Sequence, residues 1–149
     1  MILLNFPAYN LRFQKKKNNK IYIFCIIRKN FYLLTPEEWV RQHTLHFLIF
    51  DKKYDPRSIS VEVTLQCRKR ADIIVYKRES PYIIVECKSP YGRITQKNLE
   101  QIILYHMILK SSYLMLTNGL KHIFYKFDGK NQKLLSSIEI PRGILTINT

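Results

Sequence analysis

Two acids and a lysine are the residues of this sequence best spaced to do chemistry. Asp72 opens the apolar run DIIVY, and Glu86 with Lys88 closes the run YIIVECK, with thirteen residues separating the two acids. A hairpin of Ala71–Tyr76 and Tyr82–Cys87 centred on Glu79 would face Ile74 with Ile84, Tyr76 with Tyr82, and Asp72 with Glu86. Side chains alternate along a strand, so Asp72, Glu86 and Lys88 would project from one face. Directly opposed positions hold their Cβ atoms about 4.5–5.5 Å apart, where two carboxylates repel unless something compensates them. Mg²⁺ is suited to that task, since it takes oxygen ligands and keeps several waters; Mn²⁺ is the expected substitute. Lys88, one step along the same edge, could stabilise a hydroxide or the charge developing on a phosphate, the electrostatic part of phosphodiester hydrolysis. Cys87 alternates into the core, but its backbone carbonyl lies at the edge as a third candidate ligand. The simpler alternative is that both acids end their strands in solvent and Lys88 pairs with one of them. The apolar runs around them weigh against it.

The elements that must position these residues are legible on either side. LRF and IYIFCII flank Lys15–Lys20 (KKKNNK) and read as an N-terminal hairpin with a basic tip. Thr35-Pro36-Glu37-Glu38 is a helix start, with Thr as N-cap, Pro at the first helical position and acids in the first turn. Trp39, His43, His46, Phe47 and Phe50 recur at helical steps and give that helix one apolar-aromatic face to about Phe50. Strand-like runs follow at Ile59–Cys67, Ala71–Tyr76 and Tyr82–Cys87, then a helix over about Thr95–Lys110 and a strand at Tyr113–Thr117. Asn118-Gly119 reads as a tight turn, with further strands at His122–Phe127 and Leu134–Ile140. The predicted fold is α/β (α+β): a central mixed sheet flanked by helices, in one domain over residues 1–149. Its core spans about 35–118, between an N-terminal hairpin (1–34) and a C-terminal β extension (119–149).

Asp72, Glu86-Cys87-Lys88 and Gln101-Ile-Ile-Leu-Tyr105 together resemble the PD-(D/E)xK nuclease superfamily. TPEEWVRQH (Thr35–His43), VECKSP (Val85–Pro90), ITQKNLEQIILYH (Ile94–His106) and LMLTNGL (Leu114–Leu120) are similar to stand-alone versions of the N-terminal nuclease-like domain of type I restriction enzyme R subunits. The resemblance runs from about Phe6 to Glu139. It implies an αβββαβ restriction-endonuclease-like core, Mg²⁺-dependent DNA cleavage, and Asp72, Glu86 and Lys88 as the catalytic trio. Ala71 stands where the wider pattern often has a proline.

Further residues carry two readings each. Gln101 and Tyr105 share a helix face; the resemblance makes them an accessory pair that braces the site or meets the DNA backbone, while spacing alone also allows an ordinary amphipathic helix. Glu38 matches a metal-directed glutamate of such nucleases, but Thr35-x-x-Glu38 is equally a capping box. Glu62 is a further candidate carboxylate. A turn at Lys69 would face Asp72 with Gln66 and leave Glu62 about 13 Å down the strand. Arg68-Lys69-Arg70 reads as a solvated turn, or as a basic grip on DNA phosphates beside the site. His43 and His46 read as core or edge residues, and His106 and His122 lack partners for a zinc site.

Composition limits the rest. The 149 residues carry 25 Lys and Arg against 11 Asp and Glu, a net charge of +14, which favours an acidic partner such as DNA. Codon bias is an alternative source of part of that excess, since the chain is also rich in Ile, Asn and Tyr, as AT-rich genes tend to give. Three scattered cysteines, Cys25, Cys67 and Cys87, support neither a disulfide framework nor a zinc site and read as buried thiols in a reducing compartment. No signal peptide, membrane span or GxxxxGK[ST] loop is recognisable, so a cytoplasmic protein without a motor of its own is expected. A type I restriction activity would then need a helicase or specificity partner subunit, and a homodimer is the other assembly considered. The rivals to a nuclease are a non-cleaving or partner-dependent DNA-binding module of the same fold, and a protein- or RNA-binding accessory supported by charge alone.

Overall fold

The residues between Arg70 and Cys87 form two strands whose centres are buried on both faces: Ile73, Ile74 and Val75 on one, Ile83, Ile84 and Val85 on the other. A continuous apolar run, rather than an alternating one, is what a strand sandwiched between two layers requires. In a computed structural model describing residues 1–143, these are β5 (Arg70–Lys77) and β6 (Ser80–Cys87) of a six-stranded sheet. The other members are β4 (Ile59–Thr64), β7 (Tyr113–Thr117), β8 (His122–Asp128) and β9 (Lys133–Ser137), in the order β4-β5-β6-β7-β8-β9. All neighbours are antiparallel except β6 and β7, which run parallel and need a crossover. That crossover is α2 (Gln96–Leu109).

α1 (Pro36–His46) packs on the opposite face of the sheet from α2. Ile73, Val75, Ile83, Val85, Cys87 and Met115 join Val40 and Leu45 in one core; Ile74, Ile84, Leu114 and Leu116 join Ile102 and Tyr105 in the other. The order α1-β4-β5-β6-α2-β7 is the expected αβββαβ arrangement within a mixed sheet. Both helices start as the sequence implies. The Thr35 hydroxyl accepts the Glu38 amide, and Thr95 and Asn98 cap each other reciprocally. α1 ends at His46, short of Phe50, and the chain continues through a π-helical turn to Asp51, closed by the Lys52 amide on the Phe47 carbonyl.

The N-terminal hairpin pairs β1 (Phe13–Lys15) with β2 (Ile21–Cys25), and β3 (Asn30–Leu33) adds a third antiparallel strand that the sequence reading missed. Further along, β9 stops at Ser137 rather than Ile140; Ile140 instead packs into the α1-side core, and the Tyr54 hydroxyl donates to the Pro141 carbonyl at 2.5 Å.

Two registers differ from expectation. At the tip of the β5–β6 hairpin, Arg78 and Glu79 take φ of +51° and +66°, the left-handed pair of a two-residue turn. A bulge between Val75 and Tyr76 therefore sets Tyr76 against Pro81 instead of Tyr82, yet Ile74 still faces Ile84 and Ile73 faces Val85. The bulge absorbs the mismatch before it reaches the acid end. Between β4 and β5 no such correction occurs. Arg68 adopts φ +64° and its amide returns to the Leu65 carbonyl, closing the turn around Cys67 rather than Lys69. Val61 then pairs with Ile73 and Val63 with Ala71, which sets Glu62, not Gln66, opposite Asp72. Cys67 is consequently exposed at the turn, unlike the buried Cys25 and Cys87.

The Asn118-Gly119 turn holds the N-terminal segment to this sheet: the Asn5 amide donates to the Gly119 carbonyl at 2.7 Å. Gly119 has φ +84°, and a Cβ there would lie 2.7 Å from Leu4 Cδ2. Gly119→Ala should therefore destabilise the protein by about 1–3 kcal/mol, read as a lowered thermal midpoint.

Candidate active site

At the end of β5 and β6 opposite the hairpin tip, the last paired residues are Ile73 and Val85, and the next position on each strand is an acid. Asp72 lies within the strand end at partial exposure, whereas Glu86 is only 4% exposed. Asp72 Oδ2 accepts the Cys87 amide at 2.7 Å, so the backbone of one strand fixes the carboxylate of the other. Cys87 itself points to the α1-side core, where burial raises its thiol pKa.

Lys88 continues the β6–β7 pairing, its amide donating to the Thr117 carbonyl at 2.8 Å. Its ammonium donates to Glu86 Oε1 and to Gln101 Oε1, each at 3.0 Å. Gln101 in turn donates to the Tyr105 hydroxyl at 2.6 Å, and that hydroxyl donates to the Arg70 carbonyl at 3.2 Å. Gln101 and Tyr105 thus brace Lys88 from α2 and tie it back to the start of β5. Arg68, Lys69 and Arg70 border the site with exposed side chains, and none of the three forms an ion pair among the described residues.

Glu38 is buried and does not close a capping box; the Thr35 amide goes to the Leu33 carbonyl instead. Its carboxylate is taken by Arg28, Arg41 and Gln42. Arg41 also donates to Asp72 Oδ1 at 2.6 Å and lies 3.6 Å from Glu62 Oε1, while Arg28 reaches Glu62 Oε2 at 3.1 Å. Burial works against the charge on Arg41, but Asp72 and Glu38 outweigh it and hold the guanidinium proton more tightly than usual. Four of the eleven carboxylates of a +14 chain therefore meet here, interleaved with Arg28, Arg41 and Lys88.

Arg28, Arg41 and Gln42 were not singled out in the sequence, and Glu62 was set outside the immediate site. Arg41 had a local signal, standing three residues after Glu38 on one helix face. Arg28 had none: it comes from the β2–β3 turn, where its guanidinium lies over the Tyr32 ring at 3.4 Å and its Nε donates to Cys25 Sγ at 3.2 Å. The histidines stay out of the site. Nδ1 of His43 and of His46 each lies 2.8 Å from a carbonyl one turn earlier.

Against known proteins, residues 36–141 match the family described as type I restriction enzyme R protein N terminus (HSDR_N). The chain belongs to this family. No curated protein matches the sequence. Among solved structures, it is similar to one described as a fragment of an HsdR subunit of a type I restriction enzyme from Vibrio vulnificus YJ016, with a TM-score of 0.53 at 21% identity. The likeness covers 73% of this chain and 24% of that one, so this chain spans about a quarter of that protein's length. The match ties the chain to restriction-modification, and at that identity the structural likeness shows the fold. Arg28 lies outside the matched HSDR_N residues, so the N-terminal sheet adds a cation to a site otherwise built within them. No described helix is long and apolar enough to cross a membrane.

Electrostatically, Glu86 is the less compensated member of the pair, its Oε1 held by Lys88 alone among the described residues. Burial first, then the Asp72 charge, push the Glu86 carboxyl up to about 8, with Lys88 pulling it back. Glu86 Oε2 is buried with no donor among the described residues. Among the described residues, no group of three or more His, Cys, Asp or Glu side chains is arranged to hold a metal, since arginines separate Glu38 and Glu62 from the pair.

The raised Glu86 value has a pH signature. Between the ordinary carboxyl range and about 8 the folded state keeps a proton that the unfolded state has released, so stability falls as pH rises through that window. Glu86→Gln should remove this slope. In urea titrations with EDTA at pH 5 and pH 8, it should gain about 1–3 kcal/mol on wild type between the two, a difference the histidines common to both proteins do not alter.

Proposed function

We propose that this chain is a divalent-cation-dependent deoxyribonuclease module in which Asp72 and Glu86 hold the cation and Lys88 assists. The observation that carries the reading is Glu86 Oε2: a buried carboxylate oxygen with no donor among the described residues, beside a second carboxylate. A hard divalent cation fits that donor set better than any side chain present, and Mg²⁺ or Mn²⁺ is the expected ion. When bound, the ion supplies Lewis acidity that lowers the pKa of a water and offsets charge on the scissile phosphate. The Cys87 carbonyl is the expected backbone ligand, and Glu38 enters only if Arg28 and Arg41 release it.

The chain's own residues do the remainder. Asp72 is oriented by the Cys87 amide and Glu86 by the Lys88 ammonium, so neither carboxylate has to be ordered when DNA arrives. Lys88 is held by Gln101 at the edge where negative charge would develop on the phosphate, and Tyr105 keeps Gln101 in place. The exposed Arg68, Lys69 and Arg70, with the net charge of +14, favour a phosphate backbone as the bound polymer. Within a type I restriction assembly, DNA translocation and sequence choice would rest with partner subunits or further domains.

A second reading follows from Arg28 and Arg41, which already pair with Glu38, Glu62 and Asp72. A site satisfied in this way suits a module that binds DNA and cleaves only when a partner rearranges it.

Supercoiled-plasmid nicking with Mg²⁺ or Mn²⁺ tests the two. Wild type should nick, and Asp72→Ala and Lys88→Ala should each lose about 100-fold or more, the loss expected when a charged catalytic group is removed. Cleavage surviving in both variants would sink the mechanism. Salt-dependent DNA binding without nicking by any form would favour the partner-dependent module.

A further inference from the structure

We propose that Arg41 is the resident counter-cation of this site and that a divalent cation must displace it from Asp72 Oδ1, the guanidinium shifting onto Glu62. The inference rests on reading Asp72 and Glu86 as the cation-holding pair. It adds a residue that competes with the cation and an acceptor that receives that residue.

The geometry of the guanidinium carries it. Arginine normally presents two parallel N–H groups to one carboxylate. Here the fork is split, with Nη1 on Glu38 and Nη2 on Asp72 Oδ1 at 2.6 Å, so Asp72 is held through a single nitrogen. Glu62 Oε1 lies 3.6 Å from that same Nη2, a second acceptor reachable by a small rotation while Nη1 stays on Glu38. The remaining nitrogen, Nε, is buried with no partner among the described residues, so Arg41 is not locked at every point.

The partners are unequal in what they would lose. Without Nη2, Asp72 keeps the Cys87 amide on Oδ2 and frees Oδ1 for a new ligand. Glu38 keeps Arg28 and Gln42 in either position. Glu62 already has Arg28 at 3.1 Å, and its carboxylate has lone pairs to accept a second guanidinium. Glu62 is also a non-glycine residue at φ +52°, and Val61 and Val63 pair normally on either side of it. That unusual backbone occurs where the side chain meets both arginines. The shift thus leaves every carboxylate compensated, with the incoming cation taking the role Arg41 gives up.

Competition has a sign that bracing lacks. A positive charge a few ångströms from a divalent ion weakens binding at least about tenfold even at the dielectric of water. Removing it should therefore tighten binding, whereas removing a brace should loosen it.

The test is Mn²⁺ binding by electron paramagnetic resonance to the 149-residue chain as wild type, Arg41→Gln and Asp72→Asn, with melting curves in EDTA and in Mn²⁺. Arg41→Gln should melt lower than wild type in EDTA, bind Mn²⁺ about tenfold tighter or more, and gain more thermal stability from it. Equal or weaker Mn²⁺ affinity in a folded Arg41→Gln protein would overturn the proposal and make Arg41 a fixed brace. A wild-type measurement covers a variant that fails to fold: the Arg41 side-chain nitrogen resonances should shift on adding Mg²⁺, and resonances unmoved at saturation would also overturn it. Mn²⁺ binding neither by wild type nor by Arg41→Gln, or binding equally well to Asp72→Asn, would defeat the reading of the pair itself. Binding lost only in Asp72→Asn, with Arg41→Gln unchanged, would defeat the competition alone.

Discussion

Four carboxylates crowded into one corner repel one another, and the organisation of the site follows from how that repulsion is offset. Asp72 and Glu86 are set side by side by strand pairing, Glu62 joins them from the neighbouring strand, and Glu38 arrives from α1. Three cations from three different elements answer them: Arg28 from the N-terminal sheet, Arg41 from α1 and Lys88 from the end of β6. The compensation is uneven. The arginines hold Glu38, Glu62 and one side of Asp72, while Glu86 has, among the described residues, a single ammonium and an oxygen without a donor. The burial of Glu86 beside Asp72, which raises its pKa, distinguishes this corner from an ordinary buried ion-pair network.

Holding like charges together requires a rigid frame, and the frame is the doubly covered centre of the sheet. β5 and β6 are buried on both faces up to the residue before each acid, so the strand ends cannot splay to relieve the repulsion. The parallel β6–β7 pair continues through the Lys88 amide, which keeps the lysine backbone in strand geometry beyond the acids. α2 then performs two tasks: its buried side packs on the sheet, and Gln101 and Tyr105 link Lys88 to the start of β5. Packing and chemistry share the same helix face. A substitution at Tyr105 would therefore be felt both in the core and at the ammonium.

The family relation to the type I restriction enzyme R protein N terminus gives this arrangement a setting, restriction-modification. The scarce acids concentrate where a cation would be held, and the basic residues of the β4–β5 turn stand exposed beside them. The N-terminal sheet lies outside the matched residues and yet sends Arg28 into the cluster.

Much of this was legible in the residues because it rests on local chemistry. Thr35-Pro36 and Thr95 mark helix starts through bonds made within one turn, and both helices begin there. The apolar runs around Asp72 and Glu86 pointed to the two acids and Lys88 meeting, and the bulge at Val75/Tyr76 preserved that register. Gln101 and Tyr105 were visible as a pair because helical spacing is fixed. Tertiary structure decided what local rules leave degenerate. The left-handed conformation at Arg68 moved a turn two residues and brought Glu62 opposite Asp72, and no residue type there demands that choice. Whether Glu38 would cap its helix or enter the site depended on Arg28, a partner supplied by a distant turn. The sequence by itself therefore determined that Asp72 and Glu86 stand together; the fold decided that Glu62 and Glu38 join them and which cations answer, because strand register and the reach of long, flexible arginines are fixed only once the sheet and helix have packed.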